Sequence, residues 1–459
     1  MKGLPAAAFA CALAALLTTT AASAAPLNRP DDPVVLTGAK VPGLAGAAPQ
    51  DIVAFRFAAG TGWQQVPVQV DERAMLDLAK PYAGTPTGVV ATQYTDAATY
   101  TGPDPEATFD ADDEVALMAA DLGILDDGTE PVGVVPGSGV RVRVTDPLDA
   151  AAEGHVTLFR RDGTTLDPGA ARTWPVSYTF RLANGGTYPA AYNLANGPNP
   201  EDSTVTTPFY QRHFSDRWVD DRLRVFTGGA SGVDLLDRHK FQFGPGSCIR
   251  SEDTFSNAEG AFVVNKNGPI RAIRSYMGAN SGPYTQRTHL FYPRRHDVVT
   301  ALRVHAINGT MDFYDYTRAA FGMTYRHSAD QRGVTIDGKP DTITAGTLEW
   351  ERVSGATQGS LSIVHQTRTT IPGFTMTSWY LDNLRPGSKS GRQCTGDSEA
   401  VGASGPWQSA GIPSTDRTKD GVNDLENTRT IYYEAPGGTT ADTVRRAQTA
   451  RAALVAASG

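Results

Sequence analysis

The 459-residue sequence is poor in several residue types. It contains 3 cysteines and 8 histidines, and 20% of its residues are charged. No two histidines have the spacing of zinc ligands on a helix, which disfavours a zinc site. The low charge excludes a coiled coil, and the net charge of −8 argues against nucleic acid or an anionic membrane as the main partner. The 40% hydrophobic fraction, in contrast, suffices for a packed core.

Familiar catalytic motifs are also absent from the sequence. It has no G-x-S-x-G elbow, no H-E-x-x-H helix and no Walker loop. A Ser-His-Asp triad stays open, because its members need not be close in sequence. Function must therefore be argued from clusters of residue types.

The N-terminus has the pattern of an export signal. Lys2 is followed by the apolar stretch 6–17, and small residues around Ala24 and Ala25 match a cleavage site. The alternative is an uncleaved anchor, which the short, alanine-rich stretch disfavours. No later segment has the roughly 18 consecutive apolar residues of a membrane span. The sequence therefore predicts a secreted, extracellular protein.

Cysteine use agrees with export. Cys11 would leave with the signal, so the mature chain keeps Cys248 and Cys394. In an oxidising compartment such a pair most often forms one disulfide, and closing so long a loop stabilises the fold by up to ~5 kcal/mol. Two buried free thiols are the alternative. We predict a Cys248–Cys394 disulfide.

Short alternating segments between turn signals recur along most of the chain and predict an all-β fold. We expect a large antiparallel β-sandwich domain, preceded by a smaller β-domain and followed by a short C-terminal helix. A second short helix is expected at Asp71–Ala79. The predicted divisions are a signal peptide at 1–25, a small β-domain at 26–150, the sandwich at 151–438 and the C-terminal helix at 439–459.

One acidic cluster has the composition of a calcium site. Asp110, Asp112, Asp113 and Glu114 place four carboxylates within five positions, and hard oxygen ligands are what Ca²⁺ binds. The segment lacks the glycine and the final glutamate of an EF-hand loop. The alternative is a solvated turn. We expect no required cofactor and at most a structural Ca²⁺.

The segments 284–292 and 298–307 are predicted to form an antiparallel hairpin. If Tyr292 pairs with Val298, alternation places Arg287, His289, Phe291, Ala301, Arg303 and His305 on one face. Arg287 then lies opposite Arg303, and two facing arginines require an acid or an anionic ligand between them. Arg274 and Tyr276 share one face of a strand further upstream.

Such a face suits the cleavage of an anionic polysaccharide by β-elimination. Arginines would bind the uronate carboxylate and stabilise the enolate, while a histidine or tyrosine exchanges protons. The predicted substrate-binding residues are Arg274, Arg287, Arg303 and, as a sugar platform, Trp407. The predicted catalytic residues are His289 or His305 as base and Tyr276 as acid, with Tyr292 usable only after a bend at Pro293.

Two other interpretations of the chain stay open. Asp216, Asp220 and Asp221 could supply the paired carboxylates of a glycoside hydrolase, or could form salt bridges with nearby arginines. A noncatalytic, secreted carbohydrate-binding or cell-envelope protein is the second alternative. The predicted partner in each carbohydrate-active case is an extracellular polysaccharide, and nothing in the sequence predicts the oligomeric state.

Overall fold

The protein is described here by a computed structural model that covers residues 25–82, 87–99, 101–183, 201–243, 250–251, 260–278, 282–303, 306–384, 400–408, 411–414 and 425–459. Cys248, Cys394 and His305 lie outside these ranges, as does the signal peptide apart from Ala25. Their predicted roles therefore stay predictions. Among the helices within the ranges, none combines the length and apolar character that crossing a membrane requires.

The all-β prediction is confirmed, because the described residues form 28 strands, one α-helix and a few short 3-10 turns. The first strands are β1 Pro33–Thr37, β2 Ile52–Ala58, β3 Gly62–Val66, β4 Gln69–Asp71, β5 Arg73–Asp77, β6 Val90–Tyr94, β7 Glu114–Met118, β8 Val140–Asp146, β9 Asp149–Arg160, β10 Ser177–Thr179, β11 Ser203–Thr206, β12 Tyr210–Phe214 and β13 Asp220–Val225. The remaining elements are β14 Leu236–Phe243, β15 Arg250–Ser251, β16 Ala261–Lys266, β17 Ala272–Met277, β18 Thr285–Phe291, β19 Arg295–Leu302, β20 Thr310–Tyr316, β21 Thr324–His327, β22 Asp330–Thr335, β23 Trp350–Ser354, β24 Ser360–Thr369, β25 Thr377–Asn383, β26 Ala400–Gln408, β27 Leu425–Glu434, α1 Thr440–Arg451 and β28 Val455–Ser458.

The N-terminal region contains three small sheets. Their strand orders are β28-β8-β9-β2-β3, β1-β7-β4 and β5-β6. The predicted helix at Asp71–Ala79 is wrong, because β4 and β5 occupy most of it. Buried Ala74 and Leu76 alternate there with the 58%-exposed Met75, which is the period of a strand. Strand β9 also crosses the predicted domain boundary near residue 150, a division that stays a prediction.

The rest of the chain is built on one broad antiparallel sheet. Its nine strands are ordered β16-β17-β18-β19-β27-β24-β23-β21-β22. One face packs against a five-stranded sheet, β15-β14-β20-β26-β25, and a four-stranded sheet, β10-β11-β12-β13. Tyr210 of the small sheet stacks on Tyr433 of the large one, with ring centroids 3.8 Å apart. This layering is the predicted antiparallel sandwich.

Helix α1 has a better-defined start than the sequence predicts. Thr439, rather than Thr440, is the N-cap, and it forms a capping box with Asp442. The helix packs on β23 and β24 of the nine-stranded sheet through residues such as Ala447. The chain then returns as β28 to the N-terminal region, pairing with β8. The C-terminal segment is therefore helix and strand, and it ties the two regions together.

Candidate functional site

One row of polar residues crosses the inner face of the nine-stranded sheet. Strand pairing places five residues directly opposite one another in succession, namely Arg274 of β17, His289 of β18, Val298 of β19, Arg429 of β27 and His365 of β24. Charged and imidazole side chains therefore occupy a surface that is otherwise core. The two ends of this row differ in solvent exposure.

The predicted hairpin forms, but its register differs from the prediction. The backbone N–H of Tyr292 donates to the carbonyl of Arg295 at 2.8 Å, which makes the turn short and starts β19 at Arg295. Val298 consequently lies opposite His289 and not opposite Tyr292. This shift of three residues turns one strand's face over. Arg287 faces Thr300, to whose Oγ1 it donates at 2.9 Å, so the predicted pairing of Arg287 with Arg303 is wrong.

Four of the predicted site residues nevertheless come together, because Arg274 lies opposite His289 and Tyr276 opposite Arg287. The phenol oxygen of Tyr276 is 3.3 Å from Nε2 of His289, and Nδ1 of His289 is 3.0 Å from Nε2 of His296. Each of these side chains is at most 1% exposed. They do not line a groove in the way the predicted lyase site requires.

The cover over this part of the sheet comes from the four-stranded sheet and the segment before it. Glu201 receives two hydrogen bonds from Arg274, at 2.6 and 3.1 Å, and both side chains have no solvent exposure. The guanidinium of Arg274 also lies 3.9 Å from the ring centroid of Phe214. We call Glu201, Arg274, Tyr276, His289 and His296 the enclosed cluster.

The histidines of the enclosed cluster are neutral. Burial lowers the pKa of His289 well below its usual value, and Arg274 and the neighbouring His296 act in the same direction. Burial together with surrounding arginines likewise lowers the pKa of His296. A neutral imidazole can both donate and accept, so the two rings form a hydrogen bond without a buried charge. Their arrangement is that of a structural network.

The middle of the row holds a carboxylate between two arginines. Asp312 of β20 accepts from Nη2 of Arg287 at 2.8 Å and from Nη2 of Arg429 at 2.9 Å. Nε2 of His239 also contacts its Oδ1. Burial alone would raise the pKa of Asp312, but Arg287, Arg429 and His239 outweigh it and hold that pKa well below the usual range. Asp312 is therefore ionised.

His239 joins the arginines to this carboxylate. Burial lowers its pKa to about 3, although Asp312 beside it acts in the opposite direction, so the ring is neutral near pH 7. With its proton on Nε2, the ring donates to Asp312 and accepts at Nδ1 from Nη1 of Arg287, 3.3 Å away. The ring thereby fixes the position of the carboxylate.

A narrow cleft of about 20 Å³, enough space for about one water molecule, opens at this point between the nine-stranded and five-stranded sheets. The side chain of Asp312 keeps 13% of its surface exposed there, in contrast to the enclosed cluster. Polar residues in its lining include Thr300, Asp312, His365, Thr367, Asn427 and Arg429. We call it the Asp312 cleft.

His365 in the Asp312 cleft is backed by a buried acid. Its Nε2 is 2.7 Å from Oε1 of Glu351, whose Oε2 accepts from the hydroxyl of Tyr325 at 3.1 Å. Burial would raise the pKa of Glu351, but the hydrogen bond from His365 and the charge of Arg429 lower it overall. An ionised carboxylate behind an imidazole fixes the orientation of the ring.

The other predicted site residues lie elsewhere. Tyr292 faces the N-terminal region, where its hydroxyl accepts from Nη1 of Arg271 at 3.2 Å. Arg303 is 5% exposed and lies just beyond β19. Trp407 is 9% exposed and packs nearly parallel to Trp379 on the face of the five-stranded sheet away from Asp312. The prediction of Trp407 as an exposed sugar platform is therefore wrong.

The predicted calcium ligands have other partners. Glu114 is paired with Arg73 and, at 2.6 Å, with Arg271 across the junction of the N-terminal region and the large sheet. Asp113 accepts backbone hydrogen bonds from Arg73 and Asp110, and Asp110 accepts from the backbone N–H of Asp112. Within the described ranges, no three histidine, cysteine or acidic side chains are grouped to hold a metal ion. The turn alternative fits this geometry better than calcium does.

The competing acidic cluster is used for ion pairing. Asp220 pairs with Arg212, and both are buried. Asp221 and Asp202 each contact one ring nitrogen of His213, at 2.6 and 2.9 Å. The alternative of a salt bridge with a nearby arginine is therefore what the structure shows for Asp220, whereas Asp221 contacts His213.

Sequence reasoning missed the residues of the Asp312 cleft. His239 and His365 look isolated in the sequence, and Glu351 has no informative spacing. Asp312 stands between Met311 and Phe313 on a strand, which was the one available signal, because a charged residue among core positions must have a buried partner or a function. Its partners are 25 and 117 positions away.

Comparisons with known proteins give distant likenesses only. No family model matches the chain, and no curated protein matches it in sequence. Among solved structures it is similar to an alpha-mannosidase and to a Glycosyl Hydrolase Family 38 protein, both from Enterococcus faecalis, each with a TM-score of 0.41 and 8% identity over 89% of this chain. It spans about two fifths of their length, 41% and 42%. A putative aldose 1-epimerase from Escherichia coli K12 matches with a TM-score of 0.28 and 10% identity, over 49% of this chain and 96% of that one. Scores this low carry no argument about function.

Proposed function

We propose that the protein is an extracellular carbohydrate-active enzyme that binds a saccharide at the mouth of the Asp312 cleft and hydrolyses it there. The observation that supports this most directly is the joint presence of an ionised, partly exposed Asp312 and an acid-backed His365 in one cleft. A carboxylate can stabilise positive charge and an imidazole can transfer a proton, so the two groups can divide the work of the reaction.

Asp312 suits the recognition of hydroxyl groups. Arg287, Arg429 and His239 already saturate much of its carboxylate and fix its position, so it offers remaining acceptor sites without rearrangement. Asn427 adds an amide group at the wall of the cleft, where its Oδ1 accepts from the hydroxyl of Thr367 at 2.9 Å. Carboxylate, amide and hydroxyl groups in fixed positions are the polar groups that bind vicinal sugar hydroxyls.

His365 is the group that would transfer a proton. Glu351 holds its Nε2, which leaves Nδ1 for the cleft, and the hydroxyl of Tyr325 holds Glu351 in turn. A base oriented by a carboxylate that is itself held by a third group is the arrangement needed for efficient proton transfer. Its role here is to protonate the leaving oxygen and then to activate water.

The charges in the cleft favour hydrolysis over the β-elimination predicted from sequence. Glycoside hydrolysis passes through a cationic, oxocarbenium-like transition state. Asp312 and Glu351 together balance the charges of Arg287 and Arg429, so the cleft carries no net positive charge that would oppose this transition state. β-Elimination on a uronate requires guanidinium groups free to bind the substrate carboxylate. In the cleft, Arg287 and Arg429 are both bonded to Asp312.

The test uses the full chain with a panel of neutral and uronate-containing polysaccharides. Hydrolysis predicts new reducing ends without the ultraviolet absorbance of unsaturated sugar ends, and Asp312→Asn should lower the rate by about 100-fold or more. Unsaturated ends would overturn hydrolysis in favour of a lyase. Binding without either product would overturn catalysis and leave the noncatalytic alternative.

A matched control variant distinguishes the loss of Asp312 from the loss of an aspartate outside the cleft. Asp330 is an aspartate of the same sheet that is paired with an arginine, Arg332, but it lies outside the Asp312 cleft. Asp330→Asn should leave the rate within about threefold of the wild type. An equal loss of rate in both variants would show a general effect on folding, which circular dichroism and thermal midpoints would reveal.

A further inference from the structure

A second cleft lies at the junction of the N-terminal region and the nine-stranded sheet. Its volume is about 220 Å³, against about 20 Å³ for the Asp312 cleft. One wall comes from the N-terminal sheets and the other from residues just before β17 and just after β18. We call it the junction pocket, and its lining includes Arg56, Asp121, Arg172 and Trp174.

The junction pocket contains charged groups that no internal partner neutralises. Arg172 is exposed and makes no hydrogen bond or ion pair with any described residue. Arg56 donates through Nε to Gln64 at 2.9 Å, which leaves its two terminal nitrogens available. These arginines contrast with Arg274 and Arg287, which form ion pairs with the internal acids Glu201 and Asp312.

Asp121 is the acid of the junction pocket. It is mostly buried and, within the described chain, has no hydrogen-bonding or ion-pairing partner. Burial raises its pKa to about 6, against the opposing effect of Arg56. Near pH 7 most of the population is ionised, and the carboxylate oxygens keep enough solvent access to accept from a ligand.

Trp174 supplies an aromatic surface beside these charges. Its ring packs edge-on against Phe209, with centroids 5.3 Å apart, so its orientation is fixed. The segment that carries it begins with Ala171, whose φ of 61° makes it the one non-glycine residue with positive φ among the described residues. Such backbone strain persists where surrounding structure or function requires the conformation, and here it places Arg172 and Trp174 in the pocket.

We propose that the junction pocket binds a uronic-acid residue of an acidic saccharide. Arg172 and Arg56 provide the guanidinium donors for the carboxylate, Trp174 packs against the pyranose ring, and Asp121 accepts from a ring hydroxyl. Two cations against one anion give the pocket a net positive charge, which suits a monoanionic sugar. The predicted recognition of an anionic polysaccharide is thus moved from the enclosed cluster to this pocket.

This proposal does not depend on catalysis in the Asp312 cleft. The two clefts have no lining residue in common. A bound acidic chain in the junction pocket would contact the N-terminal sheets and the large sheet at once. Binding there should therefore also raise the thermal midpoint of the full chain by mass action.

The test is calorimetric titration of the full chain with tetragalacturonate, compared with maltotetraose, a neutral saccharide of the same length. We expect tetragalacturonate to bind and maltotetraose to bind at least about tenfold more weakly. Equal binding of the two would overturn the proposal. Competition by inorganic phosphate that is as strong as competition by glucuronate would also overturn it, because the pocket would then select charge alone.

Variants locate the site. Arg172→Gln should weaken tetragalacturonate binding about tenfold, because it removes a charge-assisted hydrogen bond, and its exposed position makes a folding defect unexpected. Arg143→Gln removes the same charge from another exposed arginine of the N-terminal sheet and should leave binding unchanged. Unaltered binding in Arg172→Gln, or an equal loss in Arg143→Gln, would place the site elsewhere and overturn the proposal.

Discussion

The enclosed cluster and the Asp312 cleft lie on the same face of the same sheet, yet they use the same residue types differently. In the enclosed cluster, Arg274 and Glu201 have no exposed surface and bond to each other. In the cleft, Asp312 is held by two arginines while 13% of its side chain stays exposed. Composition alone therefore does not identify a site. A site is identified instead by the number of hydrogen-bond acceptor positions that remain once the internal pairs have formed.

The two regions also differ in how their charged groups affect the stability of the fold. A buried ion pair contributes little net stability, because desolvation offsets much of the attraction, but removing one partner is expensive. The enclosed cluster thus specifies how the four-stranded sheet sits on the large sheet. In the cleft, Asp312 is only partly hydrated. The hydration that it has lost disfavours folding, and a ligand that donates hydrogen bonds to it can offset that loss. Variants of the two regions test this division between charged side chains that serve structure and those that serve function.

The largest expected effect is on stability, in the enclosed cluster. Arg274→Ala leaves the carboxylate of Glu201 buried without a partner and removes the contact with Phe214. We expect the free energy of unfolding to fall by about 3–5 kcal/mol. Urea denaturation measures it.

The control for that variant replaces both partners. Arg274→Met combined with Glu201→Met removes the pair without leaving a charge, and should recover most of the lost stability. A loss below about 1 kcal/mol in Arg274→Ala would mean that the pair is more hydrated than its burial indicates, and the contrast with the cleft would disappear.

The second prediction compares histidines of the two regions by activity. His365→Gln should lower the rate by at least about 100-fold, because glutamine can still donate to Glu351 but cannot transfer a proton. His289→Gln should leave the rate within about threefold and act on stability instead. Initial rates and urea denaturation of both variants provide the measurement. The opposite pattern would restore His289 as the base predicted from sequence.

These two regions also show how far sequence reasoning reached. Alternation along adjacent strands was sufficient to bring Arg274, Tyr276, Arg287 and His289 together, because strand neighbours are a local property. The register was wrong because it depended on a turn of two central residues, Pro293 and Arg294, which the alternating pattern does not specify. The all-β class and the C-terminal helix were predictable from periodicity.

The burial of the cluster and the existence of the cleft were not predictable in the same way. Glu201, which covers Arg274, is 73 positions away, and Arg429 is 117 positions from Asp312. Such contacts depend on how three sheets are stacked. A single sequence shows that basic and acidic residues are present in similar number, 41 and 49, but it does not show which of them are paired.

The third prediction concerns pH. The pKa of His289 is lowered in the folded state, so below about pH 6.5 the unfolded chain binds a proton that the folded chain does not. Stability from this group is present above that pH and is lost on acidification, by about 1.4 kcal/mol per pH unit. The difference in unfolding free energy between wild type and His289→Gln should shrink by about that amount between about pH 6.5 and 5.5.

His213 provides a control of opposite sign. The hydrogen bond to Asp221 raises its pKa, so its contribution is present below about pH 6.5 and is lost as pH rises through the folded-state value. The cost of His213→Gln should therefore decrease on raising the pH, where that of His289→Gln increases. Urea denaturation at a series of pH values measures both, and parallel slopes would contradict the assignment of His289 as neutral and buried.

The smallest effect is expected for a solvent-exposed ion pair on the same nine-stranded sheet. Arg368 of β24 lies opposite Glu426 of β27, on the sheet that holds Arg274, but its side chain is 61% exposed. Glu426→Gln should change the free energy of unfolding by less than about 1 kcal/mol, because water screens the pair and can replace it. If this variant cost as much as Arg274→Ala, burial would not distinguish the two pairs, and the position of Arg274 under the four-stranded sheet would need another explanation. A small value, measured by the same urea titration, would instead make solvent access the property that separates structural charges from functional ones on this sheet.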